Sequence, residues 1–165
     1  MELRRRKSRR FVRFTRNEDG GTLAELAILL PLLAVMLGAV SDFGRYFQTY
    51  NTLAKATRSS ARYLSSHPLN DDEKAKAKNL VVCGKLTTCA DNEKLAAGID
   101  TTSVCIETTG DPIVETVTIR IPRTEGDCGA PVNYQPIFNI GALLHNSLTM
   151  ALPIAPSTTM RYVHE

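Results

Sequence analysis

The sequence predicts an α+β fold in which a long N-terminal helix packs on a small antiparallel sheet. Three observations carry this. Residues 26–40 are almost wholly apolar, helical spacing continues to about residue 65, and β-branched alternation takes over beyond Gly98. At 165 residues the chain has room for one small globular domain of about 100 residues behind the helix.

Charge divides the chain before any element begins. Residues 1–20 hold eight basic side chains against three acidic ones, while the other 145 carry twelve against fourteen. The basic pI therefore describes the tail. A tail of this kind directly before an apolar run fits the positive-inside rule, in which Lys- and Arg-rich flanks stay cytoplasmic. That position favours an anionic membrane surface over nucleic acid as its partner.

Residues 22–41 number twenty, about 30 Å as a helix, which matches a bilayer core. Nine Leu, Ile or Val side chains between Leu26 and Val40 favour insertion by about 3–5 kcal/mol in sum. Glu25 stands at the mouth of this run, where the central penalty for an acidic group is reduced. It either snorkels to the headgroups or pairs with a cation. Pro31 removes one backbone hydrogen bond, which membrane helices tolerate.

Beyond Asp42 the helix becomes amphipathic. Phe43, Tyr46, Phe47, Tyr50, Leu53, Ala54, Thr57, Ala61 and Leu64 recur at three- and four-residue steps, and Arg45, Lys55, Arg58 and Arg62 stand among them on a more polar face. The clustered aromatics Phe43, Tyr46, Phe47, Tyr50 and Tyr63 read as its packing face. His67-Pro68 ends the helix. The expected organisation is a basic leader over 1–20, the helix over 21–65 with its membrane part at 22–41, and an extracytoplasmic α+β domain over 66–165.

Asn70 and three following acids open a short helix through about Leu80. Residues 91–97 suit one or two further turns. Residues 103–108 and 114–121 flank Gly110-Asp111-Pro112 as a hairpin. Residues 123–135 read as loop, 137–144 as a short helix or apolar loop, and 148–152 and 158–163 as closing strands, for a sheet of three or four strands. The four cysteines, Cys83, Cys89, Cys105 and Cys128, all follow the apolar run, and an even count outside the cytoplasm supports two disulfides. Pairing Cys83 with Cys89 and Cys105 with Cys128 is favoured because each pair brackets turn-forming residues. Zinc is the competing use, but no histidine falls between Cys83 and Cys128 and the C-x5-C spacing is not a ligand spacing. No catalytic constellation, metal motif or cofactor loop emerges. His67, His145 and His164 are isolated.

Four separated elements keep a family's spacing: Gly20 before Glu25, Pro31 six residues further on, Asp42-Phe43-Gly44-Arg45, and Ala56-Thr57-Arg58-Ser59-Ser60-Ala61-Arg62-Tyr63. In these the chain resembles the TadE-like pseudopilins of tight-adherence (Tad, Flp-type) pilus systems, over about residues 16–64. Thr159-Met160-Arg161-Tyr162 adds a weaker likeness. Leu26 stands where an aromatic usually follows the glutamate, and Ser60 where glycine is common. The resemblance implies a pilin-like fold and cleavage between Gly20 and Gly21 by a membrane aspartic prepilin peptidase; a cut after Gly21 is the alternative. Glu25 would then pair with a neighbour's new terminal amine, and Leu26, Ile28, Leu30, Pro31, Leu33 and Leu37 would be bundle contacts. Phe43, Gly44, Arg45, Arg58, Ala61, Arg62 and Tyr63 are its motif positions.

The expected protein is a minor pilin or pseudopilin, not an enzyme, held in a bacterial inner membrane with its N-terminus cytoplasmic. Its implied partners are major and minor pilins, the prepilin peptidase, the inner-membrane assembly platform and membrane lipid. No cofactor and no nucleic acid are implied. Two other readings stand beside it. Ala39-Val40-Ser41 offers a small-x-small signal-peptide site for a secreted binding module. An uncleaved anchor would make the chain a membrane-bound adaptor or sensor.

Overall fold

A computed structural model describes residues 18–110, 115–126, 128–137 and 151–163. The leader through residue 17, the hairpin tip, His145, His164 and most of the expected 137–144 and 148–152 elements lie outside the described residues. The chain divides into two compact units, Met1–Ser41 and Asp42–Glu165.

Helix α1 (Glu18–Ser65) runs through both and contains Pro31. Its expected end near Ser65 is where it stops. Ser66 N–H and His67 N–H donate to Tyr63 O and Leu64 O at 3.3 and 3.5 Å, a tightened last turn before Pro68. In the first unit its large apolar side chains are exposed, while Gly38 is buried.

In the second unit one stripe of α1 is buried: Asp42, Leu53, Ala56, Thr57, Ser60, Ala61 and Leu64, with Tyr46 partly buried. This corrects the expected aromatic face. Phe43 and Phe47 are 67% and 57% exposed, and Tyr50 is exposed as well. At 100° per residue the Phe43–Phe47 edge lies about 100° round the helix from the Asp42–Tyr46 edge, and only the latter meets the domain.

Helix α2 (Asp71–Cys83) runs three residues further than its pattern suggested. Asn70 caps it, its side chain accepting from Glu73 N–H at 2.8 Å, and three acids occupy the first turn. Gly84 ends it in the left-handed region at φ 71°, donating to Leu80 O at 3.1 Å. Small residues let α1 and α2 meet: Ala61 and Ala77 are fully buried, and the buried Ser60 hydroxyl donates to Ala77 O at 2.7 Å.

The sheet is antiparallel, with β1 (Cys105–Gly110), β2 (Glu115–Arg120) and β5 (Ser157–Arg161) in the order β1-β2-β5. The hairpin register sets Ile106 against Ile119 and Gly110 against Glu115. Strand β1 begins two residues late because Thr101–Ser103 forms a 3-10 turn, closed by reciprocal bonds between Asp100 and Ser103. The expected turns after residue 90 reduce to one 3-10 turn, Asp91–Glu93. A second, two-stranded ladder pairs β3 (Asn133–Tyr134), within the stretch read as loop, with β4 (Leu152–Pro153), at the end of the strand expected over 148–152. Val117 and Ile119 point at the helices, and with Leu53, Leu64, Val81, Ile99, Val104 and Ile154 they fill the core. Thr57 Oγ1 meets Thr158 Oγ1 at 3.3 Å, joining α1 to β5.

Candidate functional site: the helix and its motif residues

Glu25 and the positions proposed for bundle contacts are exposed on α1, with Leu26, Ile28, Leu30, Leu33 and Leu37 between 46% and 77% accessible. Helix and composition together suffice to cross a membrane. A Cβ added at Gly21 or at Gly44 would meet nothing within 4 Å. Neither glycine is therefore required for packing among the described residues, although a mid-helix glycine such as Gly44 costs about 1 kcal/mol against alanine.

The Asp42-Phe43-Gly44-Arg45 element splits by face. Asp42 is buried and accepts from Ile137 N–H at 3.2 Å. Tyr46 lies edge-on to Tyr134, ring centroids 5.8 Å apart, and its hydroxyl donates to Pro153 O at 3.3 Å. Burial, then the Asp42 charge, holds the Tyr134 phenol above its ordinary range. Asp42 and Tyr46, one turn apart, thus fasten the β3–β4 ladder to α1. Phe43, Gly44 and Arg45 point away.

The element from Ala56 to Tyr63 divides likewise. Arg58 and Arg62 are exposed, and Ala61 is buried. The Tyr63 hydroxyl donates to Glu73 Oε2, and its ring stacks on His67 with centroids 4.1 Å apart. Lys76 Nζ also donates to Glu73, at 2.8 Å. Lys76, then the Tyr63 hydroxyl, lowers the Glu73 carboxyl below its ordinary range; Glu73 as acceptor raises the Tyr63 phenol. The C-terminal segment closes on the same corner: Val163 N–H donates to Ser65 O at 2.9 Å, and the Tyr162 hydroxyl to His67 O at 3.2 Å.

All four cysteines are disulfide-bonded, Cys83 to Cys89 and Cys105 to Cys128, the favoured pairing, which leaves no thiolate for zinc. The first bridge closes the loop after α2. The second ties the start of β1 to residue 128, beside Gly129. There an added Cβ would fall well inside contact distance of the Thr102 carbonyl oxygen, so only glycine fits. One open depression of ≈ 420 Å³ is lined by Thr49, Leu95, Gly98, Tyr134, Ile154 and Lys94. Lys94, its charged lining residue, is already held by Asp91 at 2.7 Å and Asp100 at 2.6 Å.

Sequence reasoning missed the anchoring by Asp42 and the Ser60 contact. Both stand on the helical stripe with Tyr46, Leu53 and Leu64, and that spacing could have found them. No curated protein and no solved structure matches the chain. The model of the TadE-like protein family matches residues 20–62, which span Glu25, Pro31 and the motif residues through Arg62. Over that helix the chain is similar to TadE-like proteins.

Proposed function

We propose that the chain is a minor pilin or pseudopilin of a Tad-type pilus, processed between Gly20 and Gly21 and working in pilus assembly or priming through helix-to-helix packing. The observation that carries this is the first half of α1. Residues 21–41 form an apolar helix whose large side chains are exposed and whose one carboxylate, Glu25, stands four residues past Gly21. Apolar surface of that extent needs lipid or other helices to cover it. A carboxylate within it needs a cation or the headgroups, and cleavage before Gly21 supplies a terminal amine on each neighbouring subunit. An unpaired buried charge costs several kcal/mol, so such pairing specifies register even where its net stabilisation is small.

The partners in this reading are other pilins, the prepilin peptidase and the inner-membrane assembly platform. The disulfide-bonded unit faces away from the cytoplasm, consistent with its oxidised cysteines. Intact-mass and N-terminal peptide analysis of protein from membranes, with and without active prepilin peptidase, tests the route. The expected mature chain starts at Gly21 only when the peptidase is active, and keeps residues 22–41. A start at Asp42 would mean a secreted module released by signal peptidase. An unprocessed terminus in both strains would mean a plain membrane anchor.

A further inference from the structure

We propose that the second unit carries an apolar collar, Phe43, Phe47, Ile137 and Leu152, that seats it in the lipid headgroup layer. This rests on the reading of residues 22–41 as a membrane span.

All four side chains are exposed, at 67%, 57%, 67% and 48% respectively. Phe43 and Phe47 follow Val40, the last residue of the apolar run, by three and seven positions. Ile137 is held to the helix at Asp42 by its own amide. Leu152 pairs with Tyr134, which packs on Tyr46, and the Tyr46 hydroxyl reaches the carbonyl of the adjoining Pro153. The helix positions involved, 42–47, span about 8 Å along the axis. One headgroup layer is about 5–8 Å thick.

The arrangement selects lipid over a partner helix. Phe43 and Phe47 occupy one edge of α1, while Ile137 and Leu152 attach about 100° away, at Asp42 and Tyr46. A packing helix covers a single stripe. A lipid surface meets whatever lies at one level, on all sides. Composition agrees: residues 128–160, which include both attachments, contain no Asp, Glu, Lys or Arg, in a chain that is 22% charged. The acid at this level, Asp42, is buried, and the exposed Arg45 has the length to reach phosphates.

The chain contains no tryptophan, so each single substitution to Trp is a sole reporter. The full chain is reconstituted in phosphatidylcholine–phosphatidylglycerol vesicles with lipids brominated at shallow or deep acyl positions. Five variants are compared: Phe47→Trp, Ile137→Trp, Leu152→Trp, Leu33→Trp within the span, and Val163→Trp at the far end of the second unit. Retention of both disulfides by peptide mapping certifies each fold. The expected pattern is loss of emission to shallow bromines at 47, 137 and 152, to deep bromines at 33, and to neither at 163. Deep quenching at 33 with none at 137 and 152 overturns the collar and leaves the membrane span standing. Emission at 47 that follows protein-to-lipid ratio rather than bromine overturns it in favour of a second copy. No quenching at 33 overturns both.

Discussion

Tyr63, one residue past the stretch that the family model matches, works as part of the fold. Its ring stacks on His67 and its hydroxyl shares Glu73 with Lys76, so it joins the last turns of α1 to the first turns of α2. Because Glu73 is depressed when folded, its contribution is present above its ordinary value of 4.5 and is lost as pH falls through the lower folded value. Because Tyr63 is raised, its contribution holds below 10.0 and is lost as pH rises through the higher folded value. Lys76, also raised, behaves as Tyr63 does and titrates from 10.5. Tyr63→Phe keeps the stack and removes the hydrogen bond. Urea midpoints of the full chain in detergent should therefore separate the two proteins between about pH 5 and 10 and converge on either side. A difference that stays constant from pH 3 to 11 would assign the loss to packing, not to the Glu73 bond.

At the scale of elements the two disulfides fasten unequal lengths of chain. Cys83 and Cys89 are six residues apart, and Cys105 and Cys128 twenty-three. Loop-closure entropy then predicts a loss of about 2 kcal/mol for Cys83→Ser with Cys89→Ser, and about 3 kcal/mol for Cys105→Ser with Cys128→Ser. Denaturant unfolding of the paired variants checks the order; equal losses would show that local packing outweighs closure. This pairing was legible because Cys83–Cys89 and Cys105–Cys128 each bracket turn residues. The long helix was legible from the apolar run at 26–40 and from His67-Pro68. Strand β3 was not, since two residues leave no alternation to detect, although its partner β4 begins at the end of the strand expected over 148–152. The orientation of α1 was misread for a different reason. Four aromatics, Phe43, Tyr46, Phe47 and Tyr50, recurring at three- and four-residue steps look like one face. Yet Phe43 and Phe47 project about 100° from the stripe bearing Asp42 and Tyr46, and hydrophobicity alone does not say which edge the domain takes. The buried carboxylate of Asp42, satisfied by Ile137, settles that choice: an acid on a buried stripe needs a donor, and the β3–β4 segment supplies one.

For the whole molecule, in the proposed reading one helix serves two media with different requirements, so the two units should fail separately. Leu53 is fully buried in the core of the second unit, whereas Leu33 and Glu25 are exposed in the first. Leu53→Ala should cost about 2–5 kcal/mol of unfolding free energy in the second unit through the lost contacts and the cavity left behind. Membrane retention after alkaline extraction should not change, because the apolar run is untouched. Leu33→Asn or Glu25→Ala should leave the unfolding curve of the second unit within about 0.5 kcal/mol of the parent, as surface positions do. Both should remove the chain from filaments sheared off cells and from inter-subunit crosslinks. Glu25→Gln distinguishes charge from shape: it keeps the side chain's size and removes the partner for a neighbouring amine. Loss of incorporation in Glu25→Gln with membrane retention intact would point to charge pairing between subunits. Normal incorporation would return Glu25 to the headgroups, and packing would then rest on the apolar face alone.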